Sequence, residues 1–339
     1  MPIIQDVIDN LQGCKFFSSM DCESAYHQVL LDPSDIQKTA FITKWGLFEF
    51  KVLVFGLCNA PAAFVAELTA IFKDILGVFV ILYLDDILIF SKTAEEHVLH
   101  VAEVCRRLQL AEFYIKISNC AFMVHELKFL GHIVGKDGVK VDPEKVKAIK
   151  AWLSPTCPKE IKSFVGLANY FRRFVLGFST LVAPLTNLTK ADTPWGWTPE
   201  CEISFQKLKD MLCTAPVLAL PNPSLQHTVI SDASLVGTRA VLVQNEQPIA
   251  YTSSKFIPAE IRYSTTEQEM LGVVRALFAW RCYLEGAAHP TVLVTDHKPL
   301  TYFKSQKELS RRQARRWNSR NDLIVFGNTF LAIQMLQTH

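Results

Sequence analysis

The chain has 339 residues, half of them hydrophobic, and a formal net charge of only +2. This length is typical of two or three domains with packed cores, and the small net charge excludes a protein that binds nucleic acid through overall charge alone. Nine cysteines without a CxxC pair indicate neither a disulfide framework nor a zinc site, and they fit a reducing compartment.

The first predicted elements are a helix and a strand. Residues 3–11 carry isoleucine, valine and leucine at helical spacing, which predicts an amphipathic N-terminal helix. Residues 16–20 form a strand-like run that ends at Asp21. Residues 41–50 are strand-like with a central turn, and residues 60–75 carry a helical stripe of core residues.

Two adjacent aspartates interrupt the next apolar stretch. Residues 78–84 and 87–90 are apolar and β-prone, so they predict a hairpin with Asp85 and Asp86 at its turn. A turn selected for geometry alone favours Asn-Gly or Asp-Gly, because positive φ angles are needed there. Two neighbouring carboxylates repel each other unless a divalent cation lies close to them. The pattern favours a metal site, and a plain solvated turn is the alternative.

Helices are predicted through the middle of the chain. Residues 93–112 form an amphipathic helix, on which His97 and His100 share a face and are expected at the surface. Further helices begin at Asp142 and at residue 159, and the second ends in the aromatic and arginine-rich segment 170–174. Those side chains either contact nucleic acid or divide into core aromatics and solvated arginines, which we favour.

A second group of acids follows a proline-marked boundary at residues 216–223. Strands are predicted near residues 227–231, 240–244, 249–252 and 291–295, with one long helix before the last strand. Three strands, a helix and a strand are the element order of a ribonuclease H-like domain. Asp232 and Asp296 each follow an apolar strand, so we expect them to lie close together.

The long helix supplies a third acid to this group. Ser264 to Glu267 form a capping box, so Glu267 is engaged at the helix N-terminus. Glu269 instead shares the apolar face of the helix, where a carboxylate is costly unless something pairs with it. A metal ion shared with Asp232 and Asp296 would pair with it, and a structural ion pair is the alternative.

Several of these motifs resemble one known family. The order and spacing of four segments are similar to the reverse transcriptase of gypsy-type LTR retrotransposons: Ser19 to Gln28, Phe55 to Pro61, Tyr83 to Asp86, and Phe129 to His132. Three later segments resemble the ribonuclease H part of the same family: Asp232 to Ser234, Tyr263 to Glu269, and Thr295 to Lys298.

The resemblance implies a role for each matched residue. It implies two Mg²⁺ or Mn²⁺ ions per active site, held by Asp21, Asp85 and Asp86 in the polymerase and by Asp232, Glu269 and Asp296 in the ribonuclease H. Substrate-binding residues are implied as well: Tyr26 under the nucleotide sugar, Phe55 and Gly56 in a substrate-lining loop, Lys116 near the triphosphate, and Leu130 and Gly131 in the primer grip.

The chain also departs from the family pattern. The fingers region that precedes the palm in the family is not found in this sequence, and Val54 occupies a position that is usually proline. Arg239 occupies a position that is usually glycine or another small residue. The fourth ribonuclease H carboxylate is not recognisable, because Asp322 has the wrong context. A basic stretch at residues 304–320 is either a phosphate-contacting surface or a solvated face.

These observations predict a multidomain protein of mixed α+β and α/β class. We expect a polymerase palm with most of the fingers missing at residues 1–135, a helical thumb and connection at 136–222, a truncated ribonuclease H-like domain at 223–316, and an unassigned tail at 317–339. The expected partners are RNA or DNA template with primer, RNA–DNA hybrid and dNTPs.

The predicted function is that of an RNA-directed DNA polymerase with an attached ribonuclease H-like domain, from a retrotransposon polyprotein. One alternative is a retroelement relic that binds nucleic acid without turnover, and another is a metal-independent interaction module. No signal peptide or membrane-spanning run is evident. The expected location is therefore intracellular, in cytoplasmic virus-like particles and also in the nucleus.

Overall fold

The computed structural model describes residues 8–296 and the backbone of a strand at 332–335. The chain divides into two compact units, Met1–Lys136 and Asp137–His339. Most of the predicted N-terminal helix lies outside the described residues, although Ile8 and Leu11 are buried. In the described part of the chain, no helix is both long enough and apolar enough to cross a bilayer.

The first unit is built on a four-stranded sheet. Its strands and helices, in chain order, are β1 (Phe16–Asp21), β2 (Phe41–Thr43), β3 (Gly46–Phe48), α1 (Ala60–Phe72), β4 (Val80–Tyr83), β5 (Asp86–Ser91), α2 (Ala94–Leu110), β6 (Ala121–Val124), β7 (Glu126–Phe129) and β8 (His132–Gly135). The sheet order is β4-β5-β1-β6, β2 and β3 form a separate antiparallel pair, and β7 pairs antiparallel with β8 in a further small sheet.

The core of the first unit lies between this sheet and its two helices. Phe64, Leu68 and Phe72 from α1 are fully buried against the sheet, as the helical stripe predicts. Helix α2 begins with a capping box in which Thr93 and Glu96 exchange side-chain and backbone hydrogen bonds. Val104 and Leu108 of α2 are buried in the same core, so both helices pack against the sheet.

The prediction that His97 lies at the surface is wrong. His97 is fully buried under the sheet, where its ring nitrogens are 2.7 Å from Ser18 Oγ and 2.8 Å from Ser91 Oγ. Ser91 also bonds His100, which stacks on Phe79. The helical pattern correctly placed His97 and His100 on one face. The two serines that satisfy the hydrogen bonds of the buried His97 ring lie on strands β1 and β5 and are not evident in the local sequence.

The second unit begins with helices around a short strand. Its first elements are β9 (Gly138–Val141), α3 (Pro143–Lys150), α4 (Pro158–Tyr170), α5 (Phe178–Leu181), α6 (Ala183–Asn187) and α7 (Pro199–Cys213). Asp142 caps α3 by accepting a hydrogen bond from the backbone N–H of Glu144, with proline at the first helical position, as predicted.

The aromatic and arginine-rich segment after α4 joins these helices to the second sheet. Phe171 and Phe174 are buried, as favoured above. The arginines are not simply solvated: Arg172 donates a hydrogen bond to the Ser253 carbonyl, and Arg173 donates one to the Ile249 carbonyl. Both acceptors belong to an edge strand of that sheet, so the arginines cover part of a sheet edge together with Ser179, whose Oγ also donates to the Ser253 carbonyl.

The second sheet has five strands. They are β10 (Thr228–Ala233), β11 (Gly237–Gln244), β12 (Gln247–Lys255), β13 (Val292–Thr295) and β14 (Ala332–Met335), in the order β12-β11-β10-β13-β14. The helices α8 (Pro258–Ile261), α9 (Thr265–Ala279) and α10 (Arg281–Leu284) lie between β12 and β13. Ala276 and Leu277 of α9 pack into the core on this sheet.

Strand β14 lies within the segment that we expected to be an unassigned tail. Its backbone pairs in parallel with β13 from Ala332 to Met335, so this part of the tail belongs to the sheet. A four-residue strand at a sheet edge gives too short a periodic signal for sequence analysis to find. Residues 297–331, which include the basic stretch and Asp322, lie outside the described residues.

Candidate active sites

The first group of predicted acids meets at one end of the four-stranded sheet. In the antiparallel pairing of β1 with β5, Asp21 lies directly opposite Asp86. The Cβ atoms of directly opposed residues lie about 4.5–5.5 Å apart, and like charges there repel. The neighbours Met20 and Ile87 are buried in the helix-covered core. Strand alternation therefore directs both carboxylates away from this helix-covered core.

The hairpin turn differs in one detail from the prediction. Tyr83 pairs with Asp86, so the turn residues are Leu84 and Asp85, and Asp86 is the first residue of β5. Leu84 has a φ of 55°, and this left-handed conformation costs a non-glycine residue about 1–2 kcal/mol. The one-residue shift places Asp86 inside the sheet beside Asp21 and leaves Asp85 at the tip.

The electrostatics of this cluster reflect the crowding of its charges. Burial, followed by the negative charges of Asp85 and Asp21, raises the pKa of Asp86 to about 6. The Asp86 side chain nevertheless keeps an exposed edge that ions can reach. A divalent cation would stabilise the ionised form of a carboxyl group whose pKa is raised in this way. The three residues therefore fit a site for Mg²⁺, which prefers oxygen ligands.

Asn119 is a site residue that sequence analysis missed. Its Nδ2 donates a 2.7 Å hydrogen bond to Oδ2 of Asp21. The backbone N–H of Lys116 donates to the Asp21 carbonyl over 2.9 Å, so this short turn lies against the end of β1. The only sequence signal for Asn119 is its spacing of three residues from Lys116, and that spacing alone does not predict a contact.

Replacing Asn119 with alanine is expected to weaken Mn²⁺ binding at the first cluster by about tenfold. Partners that orient a metal ligand typically contribute about 10–100-fold to affinity or activity. Electron paramagnetic resonance of free Mn²⁺, recorded on chains that also carry Glu269→Gln, isolates this cluster. The exposed Asn187, changed to alanine, is the control. Unchanged affinity in the Asn119 variant would mean that the strand pairing alone orients Asp21.

The predicted substrate-binding residues surround a half-buried tyrosine. Tyr26 makes edge-to-face contacts with Phe55 and Phe64, with ring centroids 4.9 and 5.5 Å away. Phe55 is mostly exposed, and Gly56 has a φ of 95°, which suits glycine. Tyr26 therefore packs against the buried Phe64 and also contacts the exposed Phe55. Its role toward a nucleotide stays a prediction.

The two remaining predicted contacts lie in an exposed loop and in a half-buried turn. Lys116 is exposed, and the loop before it is tied down by Gln28, which accepts a 2.7 Å hydrogen bond from the Tyr114 N–H and donates one to the Tyr114 carbonyl over 3.0 Å. Leu130 and Gly131 form the two-residue turn between β7 and β8, with φ angles of 49° and 72°. Their roles toward triphosphate and primer stay predictions.

The second group of acids converges at one end of the five-stranded sheet. Strand β13 pairs in parallel with β10, with Ile230 opposite Val294. Asp232 and Asp296 each lie two residues further on, so they reach the same edge. Carboxylate oxygens of Asp232, Glu269 and Asp296 lie within 4.8 Å of one another. The sequence-derived expectation that these three acids lie together is therefore met in the structure.

Close packing of α9 brings Glu269 to this edge. A Cβ atom at Gly272 would lie 2.9 Å from Ser231 Oγ and 3.3 Å from a Thr238 methyl carbon, so glycine allows the helix to approach the strands. Glu269, one turn earlier, is only 4% exposed, as its position on the apolar face predicts. Its Oε1 accepts a 3.1 Å hydrogen bond from the Ala233 N–H.

The environment of Glu269 favours its neutral form. Its pKa is raised to about 7, mainly by burial and also by the charges of Asp232 and Asp296, while the Ala233 N–H and Arg239 act in the opposite direction. Its buried Oε2 has no hydrogen-bond partner among the described residues. An unpartnered oxygen on a carboxylate that lies close to two others fits a cation ligand better than a closed structural ion pair.

Arg239 approaches the same cluster from β11. It lies directly opposite Asp232 in the β10–β11 pairing, and its guanidinium contacts Asp232 Oδ2 at 2.5 Å. The Asp232 side chain is 29% exposed and the Arg239 side chain 54% exposed. Arg239 is the residue at which the sequence differs from the family pattern, and in the structure it forms an ion pair with Asp232 of the cluster.

Two family descriptions match the chain, one for each of these clusters. The family described as "Reverse transcriptase (RNA-dependent DNA polymerase)" matches residues 2–134. The family described as "RNase H-like domain found in reverse transcriptase" matches residues 197–293. The first match contains Asp21, Asp85 and Asp86, and the second contains Asp232 and Glu269.

Relatives of known origin are retrotransposon polyproteins. The chain is 36% identical over 322 residues to the retrovirus-related Pol polyprotein from transposon 297 of Drosophila melanogaster. It is 34% identical over 323 residues to the transposon Tf2-3 polyprotein of Schizosaccharomyces pombe. These alignments cover 94% of this chain, but only 30% and 24% of the two relatives.

Solved structures show the same fold. A foamy viral protease-reverse transcriptase in complex with dsDNA superposes with a TM-score of 0.85 at 23% identity, over 100% of this chain and 71% of that one. The structure of that protein with an RNA/DNA hybrid gives a TM-score of 0.76, over 99% and 46%. In chain order, residues 2–134 therefore match a reverse transcriptase family and residues 197–293 match the ribonuclease H-like domain found in reverse transcriptase.

Proposed function

We propose that this chain synthesises DNA on an RNA template in its first unit and hydrolyses the RNA of RNA–DNA hybrids in its second. Both reactions are phosphoryl transfers assisted by divalent cations, Mg²⁺ or Mn²⁺, with two ions in each site. Asp21, Asp85 and Asp86 would hold the first pair. Asp232, Glu269 and Asp296 would hold the second.

The observation that carries this proposal is the pairing of Asp21 with Asp86 beside Asp85. Three acids at one strand end, with one pKa raised to about 6 by burial and like charges, are destabilising without a counter-ion. The Glu269 oxygen that lacks a partner supports the same reasoning in the second cluster. A family match for each domain then gives each cluster a reaction class.

The protein's own residues would bind and orient the substrates. A divalent cation stabilises charge on phosphoryl oxygens and lowers the pKa of an attacking hydroxyl group. Tyr26, Phe55 and Gly56 would form the floor under the incoming nucleotide, and Lys116 would donate to its triphosphate. Leu130 and Gly131, at the tip of the β7–β8 turn, would position the primer end.

Nucleic acids in duplex form are the proposed partners. The foamy viral relatives were solved with dsDNA and with an RNA/DNA hybrid. We extend these ligands to the present chain as primer–template and hybrid, with dNTPs as the second substrate. Recognition should depend on backbone and shape, because such enzymes act on many sequences.

The origin and the domain limits form part of the same proposal. We propose a gypsy-type LTR element as the source, with action in cytoplasmic virus-like particles and in the nucleus. The palm would occupy residues 1–135, the thumb and connection 136–222, and the ribonuclease H-like domain would begin at 223. Because β14 joins the second sheet, we extend this last domain beyond residue 316 to Met335.

One assay tests both activities. A 5′-labelled RNA template annealed to a differently labelled DNA primer reports primer lengthening and RNA shortening in the same reaction. The proposal expects both products with Mg²⁺ or Mn²⁺ and neither with a chelator. Tight hybrid binding without either product would support the second candidate, a relic that binds nucleic acid without turnover. The engagement of Asp232 by Arg239 favours that candidate for the second site.

A further inference from the structure

We propose that Arg239 is a built-in counter-ion of the second acid cluster, which a metal ion must displace from Asp232 before the cluster is complete. This inference rests on the proposed function of that cluster as a cation site. It concerns a residue that the cluster's own three acids do not include. Arg239 would thereby set how much metal ion the ribonuclease H-like domain needs.

The geometry supports direct competition for one carboxylate. Arg239 and Asp232 are opposite each other on paired strands, so their contact follows from the register of the sheet. Nε and a terminal nitrogen of the guanidinium both lie 2.5 Å from Oδ2 of Asp232. The same carboxylate offers one oxygen to the cluster formed with Glu269 and Asp296. A guanidinium and a cation therefore compete for the same carboxylate.

The arginine satisfies only part of the cluster. It pairs with Asp232, whereas the buried Oε2 of Glu269 keeps no partner among the described residues. A structural ion pair that completed the cluster would reach this oxygen, because a buried carboxylate without a partner is costly. An arginine that pairs with Asp232 and leaves Glu269 Oε2 without a partner fits a counter-ion that a metal ion can replace.

Arg239 also has a place to go when it leaves Asp232. Its side chain is half exposed and borders a cavity of about 400 Å³, which Thr180, Lys207 and Thr238 also line. Hydroxyl groups there can accept the displaced guanidinium. Displacement therefore needs a change of side-chain rotamer and no movement of the strands.

The cost of displacement sets the expected size of the effect. A partly exposed ion pair stabilises weakly, and a nearby guanidinium also repels the incoming cation. Removing the charge should therefore tighten metal binding by about threefold to tenfold. Lysine keeps the charge, so Arg239→Lys should stay within about twofold of the unchanged residue.

The experiment measures Mn²⁺ binding directly, in the full chain carrying Asp85→Asn and Asp86→Asn to remove the first cluster's ligands. Free Mn²⁺ is followed by electron paramagnetic resonance for Arg239, Arg239→Gln and Arg239→Lys. The proposal expects the threefold to tenfold gain for glutamine but not for lysine, and loss of that gain when Glu269→Gln is added. Arg239→Thr, a strand-compatible neutral variant, should show the same gain, and thermal unfolding checks that each variant folds.

Equal or weaker Mn²⁺ binding in both neutral variants would overturn the role of Arg239. Hybrid cleavage that persists alongside that result would leave the proposed function intact. Mn²⁺ binding that is absent in every variant, or insensitive to Glu269→Gln, would contradict both the role of Arg239 and the assignment of this cluster as a cation site.

Discussion

Replacing Asp86 with asparagine is expected to reduce primer extension by about a hundredfold to a thousandfold while making the first unit more stable. The loss follows because the variant removes one of three proposed cation ligands at the reacting phosphate, and single electrostatic contacts at such centres are worth about 10²–10³ in rate. Stability increases because burial and the negative charges of Asp85 and Asp21 disfavour the ionised form of Asp86 at neutral pH, and asparagine carries no charge.

The stability effect has a defined pH dependence. The pKa of Asp86 is about 6 in the folded chain, above its ordinary value of 3.8, so the folded state binds the proton more tightly. This carboxyl group favours folding below its unfolded pKa, and that contribution is lost as the pH rises through about 6. The advantage of Asp86→Asn in the midpoint of thermal unfolding, measured without metal, should therefore be largest near pH 8 and shrink toward pH 4.

A matched control is available in the same unit. Asp35 is an exposed acid that pairs with Lys38 at the surface, and such pairs contribute little to stability. Asp35→Asn should leave both extension and the unfolding midpoint unchanged. If Asp86→Asn extended primers as well as the unchanged chain, Asp86 would not be a cation ligand.

Replacing Glu269 with glutamine is expected to reduce RNA hydrolysis in hybrids by at least about a thousandfold and to leave primer extension unchanged. Glutamine preserves the shape and the acceptor for the Ala233 N–H, but it removes the charge that would hold a cation. Glu267→Gln is the matched control two residues earlier. Glu267 serves the capping box with Ser264, and glutamine serves that box as well.

The pKa of the same residue predicts how Mn²⁺ binding to the second cluster depends on pH. The pKa of Glu269 is raised to about 7 by burial and by its acidic neighbours, and a cation ligand must be deprotonated. The apparent Mn²⁺ affinity of the second cluster should therefore increase as the pH rises through about 7, whereas that of the first cluster should increase through about 6. Coinciding profiles would mean that these two carboxyl groups do not control cation binding.

The positions of the acids at strand ends are easier to predict from the sequence than the contacts that surround these acids. Asp21, Asp232 and Asp296 each end an apolar run. Antiparallel pairing then places Asp21 beside Asp86, and parallel pairing places Asp232 near Asp296. Glu269 was identified because a charged residue on a packed helical face needs a partner. Each of these inferences depends on local periodicity, which a single sequence contains.

Features that depend on distant residues were not predictable in this way. Asn119 reaches Asp21 across 98 positions, and the burial of His97 depends on Ser18 and Ser91. The one-residue shift of the hairpin turn follows from the register of β4 against β5, which symmetric apolar runs do not specify. The arginines after α4 found acceptors on an edge strand about 80 positions later.

The most direct test of the central claim is primer extension on an RNA template, comparing the unchanged chain with Asp85→Asn. Binding of primer–template by both proteins is measured in parallel by fluorescence anisotropy. The account predicts Mg²⁺-dependent DNA synthesis by the unchanged chain and none by the variant, with equal binding of primer–template. Equal synthesis by both proteins, or no synthesis by the unchanged chain although it binds primer–template, would contradict a polymerase site at the β4–β5 hairpin.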